Sequence, residues 1–339
     1  MKIAIQHTKG SFSDRWIEYC RGNNIEYKLV DCYKTNILNQ LSDCNALMWH
    51  FHHEQFKDYL FAKQLLTTLH ILGMRIFPDF NSYWHFDDKI AQKYLFEALS
   101  IPTVPTNVFY NKNDALDWAS KTDYPKVFKL RKGSASKNVR LIKNYKEAKK
   151  IIIKSFYSGH PVFNKWSNLN ERIRRFRDGL DSWTGIIKGV GRLIIKTQIS
   201  KNFPKEKGYV YFQDFIADND YDIRVIVIGN KAFAIKRMVR DNDFRASGSG
   251  FILYTKEHFD EDTIRLAFET SEKLQGQCIS CDFVYKDGNP LIVEISYGFV
   301  KNVYDQCVGY WDRDMRWHEG SFNPYGWMVD LVKNNSYIQ

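Results

Sequence analysis

The chain has 339 residues, 44% hydrophobic and 16% aromatic, and a formal net charge of +10. That length and composition describe a folded protein of two or three subdomains, and no apolar run approaches the roughly 20 residues of a membrane span. The charge favours an anionic partner (nucleotide, acidic sugar, nucleic acid or anionic membrane) without choosing among them; no helix-turn-helix, zinc-finger or RNP-type pattern supports nucleic acid. The opening MKIAIQHTKG lacks the apolar core and small-residue cleavage site of a secretory leader, so a cytoplasmic protein is expected.

The first 80 residues alternate short apolar runs with helical ones. KIAIQH, IEYKLVD, NALMWHF and MRIFPD read as strands, with helices over 13–21, 34–41 and 54–72. This order predicts a parallel sheet with helices on its faces. Ligands of such sheets bind beyond the carboxyl ends of the strands, where His7, Thr8, Asp31, His50, His52, His53 and Asn81 fall. The first turn has no GxGxxG, which argues against a dinucleotide. FDDKIAQKYLFEALSIPTVP then predicts a helix from Lys89, capped by Asp87 or Asp88, with Ile90, Tyr94, Leu95, Ala98 and Leu99 as its apolar stripe.

Residues 107–150 read as a small α+β unit ending in a basic helix near 145–155. Its strand PKVFKLRKG carries Lys129 inside, where a phosphate would justify a buried lysine. The following Lys132-Gly133-Ser134-Ala135-Ser136-Lys137 is a loop of small residues, readable as a phosphate cradle or as an ordinary hairpin turn. Between about 160 and 207 the pattern weakens into an insertion. Its Arg172, Arg174, Arg175 and Arg177 form either a clamp for a polyanion or a solvated helix face. From Tyr209 onward the chain reads mostly as β hairpins with one helix at 261–275. The division expected is 1–85, 86–208 and 209–339.

The last hairpin holds two acids. If Lys286–Pro290 form its loop, Tyr285 pairs with Leu291 and Asp282 lies opposite Glu294 on one face. Like charges so placed destabilise a sheet unless a cation sits between them, and two oxygen ligands on a rigid hairpin suit Mg²⁺; the other reading is an edge hairpin whose acids face water. The six cysteines are scattered as reduced thiols would be, and the lone CxxC of Cys278 and Cys281 has no second ligand pair for zinc.

Taken in order, these segments resemble the ATP-grasp superfamily, in particular its carboxylate–amine ligases such as D-alanine–D-alanine ligase and the glutamate-adding peptide ligases. The resemblance covers roughly 85–300. It rests on Asp88-Lys89 before Ile101-Pro102-Thr103-Val104-Pro105, on Lys129 in VFKL, and on the hinge Gln213-Asp214-Phe215-Ile216. It continues through the run Asp222–Gly229, Ala234–Arg237 and Asp243–Arg245, and through Asp282, Glu294 and Ser296. It implies an α/β and α+β architecture: an N-terminal parallel α/β domain, a central lid subdomain and a C-terminal antiparallel-sheet subdomain.

It also implies ATP and Mg²⁺. Phosphates would be held by Lys89, Lys129, Lys132, Ser134 and Lys236, adenine by the backbone of Gln213, Asp214, Phe215 and Ile216, ribose by Asp222, and metal by Asp282, Glu294 and Ser296. Arg245 and Lys236 would act on the transferring phosphoryl group. Four features depart from the family pattern: Ser296 stands for the usual asparagine, Asp214 for glutamate, the phosphate loop is poor in glycine, and the insertion is long.

The chemistry implied is attack of a substrate carboxylate on the γ-phosphate, then of an amine on the acyl phosphate. His50, His52, His53, Arg245 and Ser296 are candidates for holding the substrates, the carboxylate being expected as a sugar acid of a surface polysaccharide or an amino acid; the aromatic, charged tail GYWDRDMRWHEGSFNPYGW loosely resembles those of ATP-grasp proteins from surface-polysaccharide clusters. The alternatives are an ATP-grasp kinase of a small molecule and a polyanion-binding protein.

Overall fold

The structure is a computed structural model, and it describes residues 1–52, 55–133, 138–162, 204–239 and 250–334. His53, Ser134, Arg245, the arginines of the insertion and residues 163–203 lie outside the described residues.

Four short strands build the first sheet: β1 (Ile3–Gln6), β2 (Tyr27–Val30), β3 (Ala46–Trp49) and β4 (Arg75–Phe77). They are parallel in the order β2-β1-β3-β4, as the alternation of strands and helices predicts. β1 and β3 are apolar and buried throughout because helices cover both faces of a parallel sheet. Those helices are α1 (Phe12–Gly22), α2 (Ile37–Gln40) and α3 (Phe56–Ile71), followed by the short α4 (Phe80–Tyr83).

Helix α5 (Lys89–Ala98) starts where the sequence places it, and the Asp88 carboxylate accepts from the Ala91 N–H. Its buried face differs from the expected stripe. Lys89, Gln92 and Phe96 turn inward, while Tyr94 is 47% exposed. Hydrogen bonds make the polar face the inner one: the Gln92 amide donates to the Ile295 carbonyl (2.8 Å) and accepts from the Ile295 N–H (3.2 Å).

The central sheet runs β5-β8-β6-β7 through β5 (Thr106–Phe109), β6 (Lys126–Lys129), β7 (Arg140–Ile142) and β8 (Val210–Asp214). Helices α6 (Lys112–Lys121) and α7 (Tyr145–Tyr157) cover one face, packing Ile151 and Ile152 on Phe128, Val210 and Phe212. Strand alternation sends Lys129, Tyr211 and Gln213 to the other face. An antiparallel bridge between His160 and Glu206 closes the base of the insertion.

The third sheet has seven strands: β9 (Tyr221–Ile228), β10 (Lys231–Met238), β11 (Ile252–Leu253), β12 (Cys278–Lys286), β13 (Asn289–Ser296), β14 (Gly309–Asp312) and β15 (Trp317–Glu319). Helix α8 (Glu261–Leu274) packs Ile264, Ala267 and Phe268 against one face, on Val225, Val227 and Ile279. The opposite face, through Ile226, Ile228, Phe233 and Ile235, shares one core with Ile5, Leu47, Trp49 and Phe77 of the first sheet.

Two further helices follow, α9 (Lys301–Tyr304) and α10 (Pro324–Asn334), where the sequence reading expected hairpins and a surface tail. The missed signal is the helical spacing of Tyr325, Met328, Val329 and Val332, all buried. α10 lies on α1: the Tyr19 hydroxyl donates to Asp330 at 2.8 Å, and a Cβ on Gly326 would come within 2.6 Å of the Tyr19 ring.

Candidate active site

The hairpin β12–β13 turns more tightly than the sequence suggests. Asp287 and Gly288 alone form the loop, both with positive φ (52° and 79°), the conformation of a type I′ turn. Tyr285 therefore pairs with Pro290, and Val284 with Leu291. A register shift between Asp282 and Phe283 then makes Val293 an extra residue, and Asp282 does lie opposite Glu294. The pairing expected from the sequence is correct although the loop behind it is not.

Cations answer the predicted repulsion. Arg224, across from Asp282 on β9, donates to both of its oxygens, and the Arg237 guanidinium stands 3.1 Å away. Burial opposes the Asp282 charge, but these two arginines outweigh it and hold the carboxyl well below the usual range. Glu294 accepts from the Lys89 ammonium at 2.9 Å. That ammonium, nearly inaccessible, also donates to the Gly133 carbonyl at 2.9 Å. Burial works against its charge, yet the Glu294 and Asp87 carboxylates raise its pKa.

Lys129 enters the same cleft from the central sheet. It is 6% exposed, and its ammonium donates to Gln213 Oε1 at 2.5 Å. Among the described residues no carboxylate contacts it directly. Burial pushes its pKa down to about 8, against the more distant pull of Glu294. Gln213 is buried and also donates to Thr106 Oγ1 at 3.2 Å. A cavity of about 70 Å³ adjoins this pair, lined among others by Lys89, Thr106, Tyr211, Gln213 and Val293.

Several other predicted residues are placed differently. Lys236 sits on the far face of β10, paired with Ile223, its ammonium 3.6 Å from the centre of the Tyr221 ring. Its neighbour Arg237 holds the cleft-facing position, because adjacent strand residues point to opposite faces. Asp222 is bound bidentately by Arg237, at 2.5 and 2.7 Å, so its oxygens are engaged within the sheet and a ribose contact has no support there. Ser296 accepts from the Gly298 N–H (3.0 Å) and donates to the Gly298 carbonyl (3.2 Å); it shapes its own turn, and metal ligation has no support.

Lys132 donates to the Tyr59 hydroxyl at 2.6 Å and lies over that ring, tying the loop to α3 rather than reaching the other lysines. Asp214 pairs with Lys126 at 2.7 Å, and its N–H bonds to the Pro105 carbonyl within the sheet. Phe215 and Ile216, both half-buried, follow where the chain leaves β8. Cys278 and Cys281 point to opposite faces of β12, three residues apart, and all six cysteines are free and buried.

His50 and His52 lie together at the end of β3, ring centres 4.4 Å apart. His50 stacks on Phe12 at 3.7 Å, and its Nδ1 accepts from the Phe12 N–H at 3.2 Å. Burial drives its pKa well below the ordinary value, so the ring is neutral and its proton sits on Nε2. That nitrogen would lie 3.5 Å from a Cβ on Gly298, beside the end of the acid strand. The His52 N–H is fixed by Asp58 at 2.7 Å, and Asp58 in turn by the Tyr33 hydroxyl at 2.5 Å.

Two sheets thus face one cleft, one bringing Lys129 and Gln213, the other Asp282, Glu294, Arg224 and Arg237, with Lys89 between. Solved structures share the fold along nearly the whole chain. The RimK-domain ATP-grasp protein of Sphaerobacter thermophilus superposes with a TM-score of 0.57 at 14% identity, covering 98% of this chain and 100% of that one. The chain has the ATP-grasp fold. Residues 194–305 match the RimK-like ATP-grasp domain.

Two other ATP-grasp likenesses come from ligand complexes. D-alanine–D-alanine ligase of Bacillus anthracis, complexed with ATP, gives 0.56 at 12% identity over 98% of this chain and 95% of that one. The biotin carboxylase domain of the Hydrogenobacter thermophilus 2-oxoglutarate carboxylase, with MgADP and bicarbonate, gives 0.60 at 12% over 100% and 70%. No curated protein matches the chain by sequence.

Proposed function

We propose that the protein is an ATP-dependent, ADP-forming ligase that joins a carboxylate to an amine. The observation that carries this reading is the buried Lys129 ammonium, bonded to an amide oxygen and, among the described residues, to no carboxylate, in a cleft that already holds Lys89, Glu294 and Asp282. A buried cation so placed lacks an anion, and a phosphate would supply one.

The donor types fit a magnesium nucleotide: Asp282 and Glu294 carry hard oxygens on one strand pair, and Mg²⁺ takes one or two carboxylates together with substrate phosphates. Arg224 engages both Asp282 oxygens and Lys89 one oxygen of Glu294, so a metal would have to share those oxygens or displace the cations. Bound Mg²⁺–ATP would supply the phosphoryl group that activates a carboxylate. Lys129 and Lys89 hold phosphate oxygens on the central-sheet side of the cleft. Arg237 and Arg224 keep Asp282 ionised and add positive charge where the transferring group carries negative charge. Arg245 is proposed to join them, and the hinge Gln213–Ile216 to receive the adenine. His50 offers a neutral Nε2–H donor to the substrates, with His52 and His53 beside it in sequence. The carboxylate substrate is proposed to be a small acid, a uronic acid or an amino acid, and the enzyme to act in the cytoplasm.

The test is product analysis with Mg²⁺ and ATP over a panel of sugar acids and amino acids. A ligase releases ADP and phosphate only with a carboxylate present, and hydroxylamine captures the activated acyl group as a hydroxamate. ADP release with a stable phosphorylated product and no amine requirement would instead make the protein a kinase.

A further inference from the structure

The chain's positive charge is concentrated in its middle third. Residues 107–162 hold thirteen Lys and Arg against four Asp and Glu, a net +9, and residues 163–203 hold nine against three, a net +6, so the rest of the chain is net negative. Only a few of the cations in 107–162 serve the cleft. Helix α7 lies on the outer face of the central sheet, packed on Phe128 and Phe212, whereas Lys129 and Gln213 leave the opposite face. Its solvent side carries Lys146, Lys149, Lys150 and Lys154, all exposed, with exposed Lys143 just before it and Arg140 on β7. Over eight residues this stripe runs about 12 Å.

No acid among the described residues answers it. Among the described residues, none of the four α7 lysines makes an ion pair, whereas Lys121 on α6 pairs with Asp117 at 2.7 Å. Glu147, the one acid on α7, spends its carboxylate on the Lys143 N–H at 2.9 Å, closing the first turn. Lys146–Lys150 and Lys150–Lys154 are like-charge pairs four residues apart, which weaken a helix. The helix dipole favours only Lys154, in the last turn. Apolar groups are set among these charges: Tyr145 is 38% exposed, Ile153 39% and Tyr157 62%.

We propose that this face of α7 docks on an anionic phospholipid surface. Lysine ammoniums act as point charges toward phosphate, without the bidentate fork that arginine brings to nucleic acid, and α7 itself contains no arginine, Arg140 lying on the neighbouring strand. A convex helix offers no groove for a strand. Interleaved tyrosine and isoleucine suit the headgroup level of a bilayer, where aromatic rings settle. Each lysine held near an anionic leaflet strengthens binding about fivefold, so four together give on the order of several hundredfold. The inner face of the same sheet stays turned to the nucleotide cleft, so docking leaves that cleft open.

The test is co-sedimentation of the full chain with vesicles of phosphatidylcholine, alone or with about a third phosphatidylglycerol. Binding should appear only with the anionic lipid at about 0.1 M salt and disappear at about 0.5 M. The variant Lys146→Gln/Lys149→Gln/Lys150→Gln/Lys154→Gln should lose it by at least a hundredfold, with a thermal midpoint no lower than that of the parent, since it removes repulsion. Ile153→Asn should weaken it less, by about threefold to tenfold. No sedimentation of the parent chain, or sedimentation unchanged in the quadruple variant, would overturn the proposal. So would tighter binding of an oligonucleotide than of the vesicles through the same four lysines. None of these outcomes depends on the ligase reading.

Discussion

Glu294 faces Asp282, and not the core beneath α8, because Val293 bulges out of β13. Ile292 pairs with Phe283 in that core, so in a regular strand the residue two positions on would point the same way. The extra residue reverses the alternation: Ile295 returns to the core and Glu294 turns to the cleft. Val293 itself lines the cavity beside Lys89 and Tyr211. Val293→Trp should fill that cavity and weaken ATP binding at least tenfold, with a stability loss of about 1–3 kcal/mol from overpacking. Calorimetry showing unchanged ATP affinity would separate the cavity from the nucleotide site.

Removing the Glu294 charge should not relax the hairpin. Its carboxylate is the partner of the buried Lys89, so Glu294→Gln leaves that ammonium with a neutral acceptor and the Gly133 carbonyl. The variant should be less stable by roughly 1–3 kcal/mol, the cost of leaving a buried polar group poorly satisfied. It should also lose Mg²⁺-dependent ATP turnover. Urea unfolding would check the first expectation; a more stable variant would mean that repulsion from Asp282 outweighs the Lys89 bond.

Lys129 predicts a pH dependence with a definite sign. Its folded pKa of about 8 lies below the ordinary lysine value, so between those two pH values the unfolded chain binds the additional proton. Stability from this group is therefore lowest below pH 8 and rises as pH climbs above it. ATP binding requires the charged form, so affinity should fall as pH rises through 8, by up to tenfold per unit. Lys129→Met should bind ATP weakly at every pH and lose both slopes. An ATP affinity flat from pH 7 to 9.5 in the parent protein would remove Lys129 from the phosphate contacts.

Lys236 and Arg237 should separate cleanly. Lys236→Met, on the Tyr221 side of β10, should leave ATP affinity within about threefold. Arg237→Met frees Asp222 and withdraws one of the two cations on Asp282. It should lower stability by about 3 kcal/mol, as for other broken buried pairs, and weaken nucleotide binding as well. Equal ATP affinities for the two variants would show that strand parity does not decide which residue serves the site.

Much of this was legible in the residues. The alternation of strands and helices predicts the first sheet, and the ordered motifs bring Lys89, Lys129, Asp282 and Glu294 to one cleft. What stayed hidden depends on partners distant in sequence. Lys236 fits the motif, and because Phe233 and Ile235 on one face are as buried as Ala232 and Ala234 on the other, alternation alone does not say which of Lys236 and Arg237 faces the cleft. Arg224 lies in the matching run but shows its role only when β9 pairs with β12. The buried polar face of α5 depends on Gln92 meeting Ile295, which no helical periodicity contains. Asp222 and Ser296 match the motif by position, and hydrogen bonds to Arg237 and Gly298 redirect them.

The docking of α10 on α1 gives the order of synthesis a consequence. The first sheet is made well before α10, and Phe12 of α1 stays without its Tyr325 neighbour until α10 emerges, 313 residues later. At translation speeds of about 5–20 residues per second, that wait lasts roughly 16–63 s. For that interval the nascent N-terminal unit carries an open apolar seam, and a chaperone or a translation pause has a defined stretch of chain to protect.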